Sequence, residues 1–110
     1  MAKFVKGEIV VLPFPFSDLS DLKKRPALVI KELAGDDLIL CQITSQPFSD
    51  RSAIEISDND FEKGGLHKTS YVRPSRLFTA DRNIVLYKVG KLKSSRISFI
   101  IKTLIEIITD

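Results

Sequence analysis

One cysteine, one histidine and no tryptophan occur in the 110 residues. Cys41 on its own excludes an internal disulfide framework, which makes a reducing compartment the simpler setting. A lone His67 beside a lone Cys41 leaves too few ligands for a zinc cluster and no imidazole pair for a two-histidine ribonuclease. No segment reaches the roughly twenty apolar residues of a membrane-spanning helix. The start, MAKFVKGEIVV, lacks the long apolar run of a signal peptide, so the expected location is the cytoplasm, away from membranes. The five glycines form neither a P-loop nor a GxGxxG, and Gly64-Gly65 reads as a hinge. No spacing supports a Ser-His-Asp triad. Asp18, Asp21, Asp58 and Asp60 are scattered acids, more ordinary as surface residues than as metal ligands.

What remains is a chain of 44% hydrophobic residues with mean hydropathy near zero, +0.05. At this length one domain over residues 1–110 is expected, burying roughly two-thirds of its unfolded surface in a core that needs no staples. Seventeen Lys and Arg against fourteen Asp and Glu give a net charge of +3. Basic residues gather at Lys23-Lys24-Arg25, from Lys63 to Arg76 and from Lys88 to Arg96, while acids dominate Asp50 to Glu62. This pattern fits either a polyanion-binding face or an ordinary solvated surface.

Along the chain, Glu8–Leu12 reads as a β run stopped by Pro13-Phe14-Pro15-Phe16. Ser17–Lys24 is a polar loop. Pro26–Ile30 is a strand, and Pro26 holds Arg25 extended. Ala34–Asp37 is a turn. The third strand, Asp37–Gln46, points Ile39, Cys41 and Ile43 one way and Leu38, Leu40, Gln42, Thr44 and Gln46 the other. That second face turns polar along its length, either entering a wet cleft or reaching solvent. Shorter strands are expected at Ala53–Ile56, at Ser70–Val72 with an interruption at Arg73-Pro74 before Leu77–Thr79, and at Asn83–Val89 ended by Gly90. Asp58–Phe61 is a helical turn. Ser94–Thr109 is a helix with Ser94 or Ser95 as cap, its stripe running through Ile97, Ile100, Ile101, Leu104, Ile105 and Ile108. Phe99 and Ile107 widen that stripe toward core or a partner subunit. Short strands, no βαβ repeat and one late helix predict a small antiparallel α+β barrel.

The chemistry these residues offer is positive charge with hydroxyl and amide groups. Arginine presents a planar fork of donors matching two phosphate oxygens and keeps its charge at any working pH. A threonine hydroxyl nearby can donate to a phosphoryl oxygen as charge builds there. RNA brings its own nucleophile, the 2′-hydroxyl, so a protein of this kind has only to align, neutralise and protonate. For Arg25 the plainer reading is a surface ion pair with Asp18 or Asp21, worth at most about 1 kcal/mol. For Thr44 it is an ordinary strand residue. Phe14, Phe16 and Tyr71 read as packing residues, with base stacking as the alternative.

GEIVVLPFPFSDL, KKRPALVI, LILCQITSQ and GGLHKTSYVRPSRLFTADRN together resemble the PemK/MazF family of toxin ribonucleases, over roughly Gly7 to Leu92. The resemblance implies an SH3-like barrel with a C-terminal helix that forms a homodimer. It also implies metal-independent, sequence-selective cleavage of single-stranded RNA, no cofactor, and a cognate antitoxin with an acidic disordered segment. By position it makes Arg25 and Thr44 the catalytic residues and sets the Ser17–Lys24 loop, with Ser17, Lys23 and Lys24, beside the RNA. Gln46 and Arg76 become further RNA contacts. Arg76 stands where some members carry glutamine, and Asp18 and Asp21 make the loop unusually acidic for one that binds phosphate. A proton-transfer role for Arg25 fits poorly with an arginine pKa above about 12, which leaves phosphate stabilisation. A barrel of this type also serves the gyrase poison CcdB, so a non-catalytic binding module, or an inactive relic that retains RNA binding, stands as the alternative.

Overall fold

The computed structural model describes residues 3–14, 23–46 and 49–110. Its elements are β1 (Glu8–Phe14), β2 (Lys23–Glu32), β3 (Asp37–Thr44), β4 (Ile54–Ile56), β5 (Phe61–Gly64), β6 (Ser70–Asp81), β7 (Tyr87–Leu92) and α1 (Ser94–Thr109). Single 3-10 turns lie at Asp58–Asp60 and Arg82–Ile84. The strands form one antiparallel sheet in the order β4-β6-β3-β2-β1-β7-β5. A flat sheet with one helix layer would be on the order of 20 Å thick. The molecule measures 32 × 31 × 30 Å, so the sheet is curled into a half-barrel, as expected for the small α+β barrel.

Curling explains why the central strands read as unbroken apolar runs. Ile9, Leu28, Cys41 and Ile43 join one core, which α1 covers with Ile97, Ile100 and Leu104. Their neighbours Val10, Leu12, Ala27, Val29, Leu38 and Leu40 point to the opposite face and join a second core with Phe4. The alternation expected in β3 therefore holds, and both of its faces are covered. Cys41 is fully buried, and burial pushes its thiol up to about 12, so it serves as a small hydrophobe.

Several boundaries differ from the sequence expectation, and prolines account for two of them. β1 continues through Pro13 to Phe14, because β7 pairs only with Glu8–Val11 and asks nothing of Pro13 on that side. β6 runs unbroken through Arg73-Pro74 because Pro74, Ser75 and Arg76 bulge out between Arg73, opposite Gln42, and Leu77, opposite Cys41. β5 has no counterpart in the expectation. It pairs with β7, which begins later than Asn83 and passes through Gly90. A Cβ on Gly90 would sit 2.6 Å from the Lys63 carbonyl, and one on Gly64, at φ +71°, would strike the Val89 carbonyl. Both glycines are where two backbones touch. β3 stops at Thr44, two residues before Gln46.

The helix has the expected span but not the expected cap. Lys93 occupies the cap position and no side chain closes the turn. Instead the Lys93 N–H donates to the Asp60 carbonyl at 2.9 Å, and Arg96 donates to the Glu55 carbonyl at 2.6 Å and lies 3.6 Å from the Asp60 carboxylate. The apolar stripe is longer than the surface it meets, since Ile105 and Ile108 are 51% and 68% exposed. No helix among the described residues is long and apolar enough to cross a membrane.

Candidate active site

The pairing of β2 with β3 places Ala27 opposite Gln42, and it ends there. Continued by two residues on each strand, the same register sets Arg25 against Thr44. The strands part at that point, and the gap is a pocket of about 260 Å³ with both residues in its wall. Lys24, Arg25 and Pro26 come from β2, and Ile43, Thr44 and Ser45 from the end of β3. Pro26 suits this place because β3 no longer requires an N–H from it, and it restricts Arg25 to an extended backbone.

Leu66, Lys68 and Ser70, from the β5–β6 connection and the start of β6, complete the pocket with Val11 and Tyr87. Lys24, Arg25 and Lys68 give the wall three cationic side chains, and none of its described residues is a carboxylate. Such a wall attracts a phosphodiester. Tyr87 is half exposed and adds a flat aromatic ring to the wall, of the kind on which a planar group can stack.

The Thr44 hydroxyl takes part in a local turn, donating to the Gln46 carbonyl at 3.3 Å and accepting from the Gln46 N–H at 3.2 Å. The bond that the hydroxyl donates is long for an O–H donor, so turning the O–H toward a bound oxygen costs little. Ahead of β4, Asp50 ties its own segment to β6. One oxygen of its carboxylate accepts from the Ser52 N–H and hydroxyl at 2.9 and 2.7 Å, and the other from Arg73 Nε and Ser75 Oγ at 2.6 and 3.1 Å. Burial alone would raise this carboxyl, and the donors from Ser52, Arg73 and Ser75 outweigh it and hold it at about 2.

A carboxyl lowered on folding contributes stability above its unfolded value, near 3.8, and loses it as the pH falls toward 2. Urea midpoints measured from pH 6 down to pH 2 are expected to fall most steeply between about 4 and 2. In Asp50→Asn the midpoint is expected to start lower and to fall less over that window. An identical pH profile in the two proteins would remove Asp50 as the source.

Of the residues singled out from sequence, Arg25, Thr44 and Lys24 meet at one pocket. Lys23, Gln46 and Arg76 stand outside its walls. Lys23 lies opposite Phe14 at the start of β2, Gln46 is exposed in the Thr44 turn, and Arg76 is exposed in the β6 bulge. Ser17 lies outside the described residues, as do Asp18, Asp21 and Phe16, so the ion pairs weighed for Arg25 fall there too. Lys68, Ser70 and Tyr87 were not singled out as pocket residues. Lys68 and Ser70 have only membership of the basic stretch Lys63 to Arg76 as a sequence signal, Tyr87 has none, and strand order brings all three to the site. Asp50 carried a clue in Asp50-Arg51-Ser52, the spacing of an aspartate that turns onto its own backbone.

Known structures share the fold. Solved structures of the same fold include an endoribonuclease from a Mycobacterial species in complex with its cognate antitoxin. It has a TM-score of 0.74 and 12% identity, over 94% of this chain and 93% of that one. The MazE–MazF complex from Deinococcus radiodurans aligns with a TM-score of 0.72 and 16% identity over 94% of each chain. The Mycobacterium tuberculosis toxin MazF-mt6 gives 0.68 and 16% over 88% of this chain and 91% of that one. A sequence search among curated proteins finds no significant match. The family model for the PemK-like, MazF-like toxin of type II toxin–antitoxin systems matches residues 5–108. With nearly its whole length inside that model, the chain belongs to the PemK/MazF-like toxin family.

Proposed function

We propose that this toxin is an endoribonuclease that cuts single-stranded RNA without a metal ion, using Arg25 and Thr44. The observation that carries the reading is the placement of Arg25 and Thr44 across one cation-lined pocket at the point where β2 and β3 separate. The guanidinium holds two oxygens of the scissile phosphate. The ribose 2′-hydroxyl attacks phosphorus, the 5′-oxygen departs, and the products are a 2′,3′-cyclic phosphate and a 5′-hydroxyl. Negative charge rises on the phosphoryl oxygens as the bond forms, and the Arg25 donors and the Thr44 hydroxyl stabilise it there. Lys24 and Lys68 neutralise neighbouring charge. Lys23, Gln46 and Arg76 extend the RNA path beyond the pocket, with Ser17 in the segment between β1 and β2.

The same cationic wall suits the acidic disordered segment of a cognate antitoxin, which would inhibit by occupying the RNA site. We place the toxin in the cytoplasm as a single-domain homodimer, where mRNA is at hand and the lone cysteine stays reduced. The test is incubation of purified protein with a long single-stranded RNA in EDTA. Discrete cuts that leave 2′,3′-cyclic phosphate ends are expected at the same rate with and without chelator. Loss of cutting on chelation, restored by a divalent ion, would overturn the metal-free mechanism.

A further inference from the structure

A second cavity, of about 320 Å³, adjoins the pocket and is lined by Ser57, Asp58, Asn59, His67, Lys68 and Thr69. Lys68 belongs to both walls, and the consecutive residues Thr69 and Ser70 divide between them, Thr69 in the second and Ser70 in the first. A chain that leaves the Arg25–Thr44 pocket along Lys68 can therefore reach this cavity. We propose that the second cavity receives the base of a nucleotide flanking the cleaved bond and selects a base bearing an exocyclic amino group over uracil. This rests on the RNA-cutting reading above and names how that site chooses its substrate.

Charge is the first argument. A carboxylate repels a phosphodiester backbone, so Asp58 in this wall suits the neutral part of a nucleotide, the base edge. Ionised, it only accepts hydrogen bonds. Adenine, cytosine and guanine each offer an amino group, whereas uracil turns two carbonyl oxygens toward any acceptor placed beside its N–H. Asn59, one residue on, adds both a donor and an acceptor for the rest of the edge.

The walls supply the second argument. A Cβ on Gly65 would come within 3.2 Å of Asp58 Oδ1, so the glycine leaves that carboxylate room. His67 has φ +66°, and it is the one non-glycine residue with positive φ among those described. Glycine would hold that backbone with less strain. A side chain kept at such a position indicates use, and a flat imidazole at the rim of a base-sized cavity is suited to stacking on the bound ring.

The test uses full-length wild-type protein, Asp58→Asn and His67→Gly. Single-stranded oligonucleotides that vary each position around the cut are scored for cleavage. The same sequences carrying 2′-deoxyribose at the cleaved nucleotide, which cannot be cut, are scored for binding. Expected is a preference for amino-bearing bases over uracil of about tenfold at one flanking position. Asp58→Asn should erase it at that position and leave the other positions unchanged. His67→Gly should weaken binding through that position while thermal stability holds or rises, which a purely structural role would not produce. A preference profile in Asp58→Asn identical to wild type, or a uniform loss at every position, would overturn the proposal. If wild type binds with that preference but cuts nothing, the cleavage reading fails and the base site stands.

Discussion

Arg25→Ala is expected to cut RNA about 10²–10³-fold more slowly than wild type, the usual loss when a pre-set donor to a developing anion is removed. Its urea midpoint is expected to stay close to wild type, because Arg25 is only half buried and lies where β2 has left its β3 partner. Arg25→Lys should fall between the two. It keeps the charge and loses the planar fork, which separates neutralisation from bidentate positioning. Initial rates on one defined oligonucleotide, with circular dichroism to confirm folding, are sufficient. Undiminished cutting by Arg25→Ala would remove the assignment. Growth inhibition that survives both Arg25→Ala and Thr44→Ala would point to a barrel that blocks a partner without cutting RNA.

Ile100→Ala is expected to lower stability by about 2–5 kcal/mol, read from the urea midpoint. Ile100 is fully buried and sits in the core shared by α1 and the sheet. Removing most of its side chain forfeits the burial energy and leaves a void that stiff β-branched neighbours cannot fill. Ile108→Ala, at the far end of the same stripe and 68% exposed, should move the midpoint by no more than about 0.5 kcal/mol. Periodicity ranks the two positions alike, and only the packing separates them. Equal effects would mean that the end of the helix is covered in solution.

That pair shows where sequence reasoning runs out. A 3.6-residue period identifies the face of a helix that seeks cover, but the sheet decides how many turns receive it. The third strand was more informative, since its alternation anticipated both cores, Leu38 and Leu40 on one side and Cys41 and Ile43 on the other. Arg25 and Thr44 were legible because each marks a local event, an arginine held extended by proline and a strand turning polar at its exit. Their meeting follows from a register that a short turn between β2 and β3 goes far to determine. Lys68, Ser70 and Tyr87 reach the pocket only through the strand order β6-β3-β2-β1-β7, which no local pattern encodes. β5 escaped notice because Phe61–Gly64 carries two charges and one large apolar residue. Its pairing depends on two glycines that let its backbone lie against Gly90 and Val89.

Arg96 has a further consequence, for the behaviour of many copies together. β4 is three residues long and ends the sheet, and the outermost strand of any sheet invites a second chain to extend it. Here the guanidinium from the first turn of α1 already holds the Glu55 carbonyl at 2.6 Å and leans on Asp60 at 3.6 Å. An incoming strand would have to displace a charged side chain whose position is fixed by the helix. Growth of the sheet by copy upon copy is therefore opposed at the β4 edge, and β5 is left as the edge that a further strand could extend.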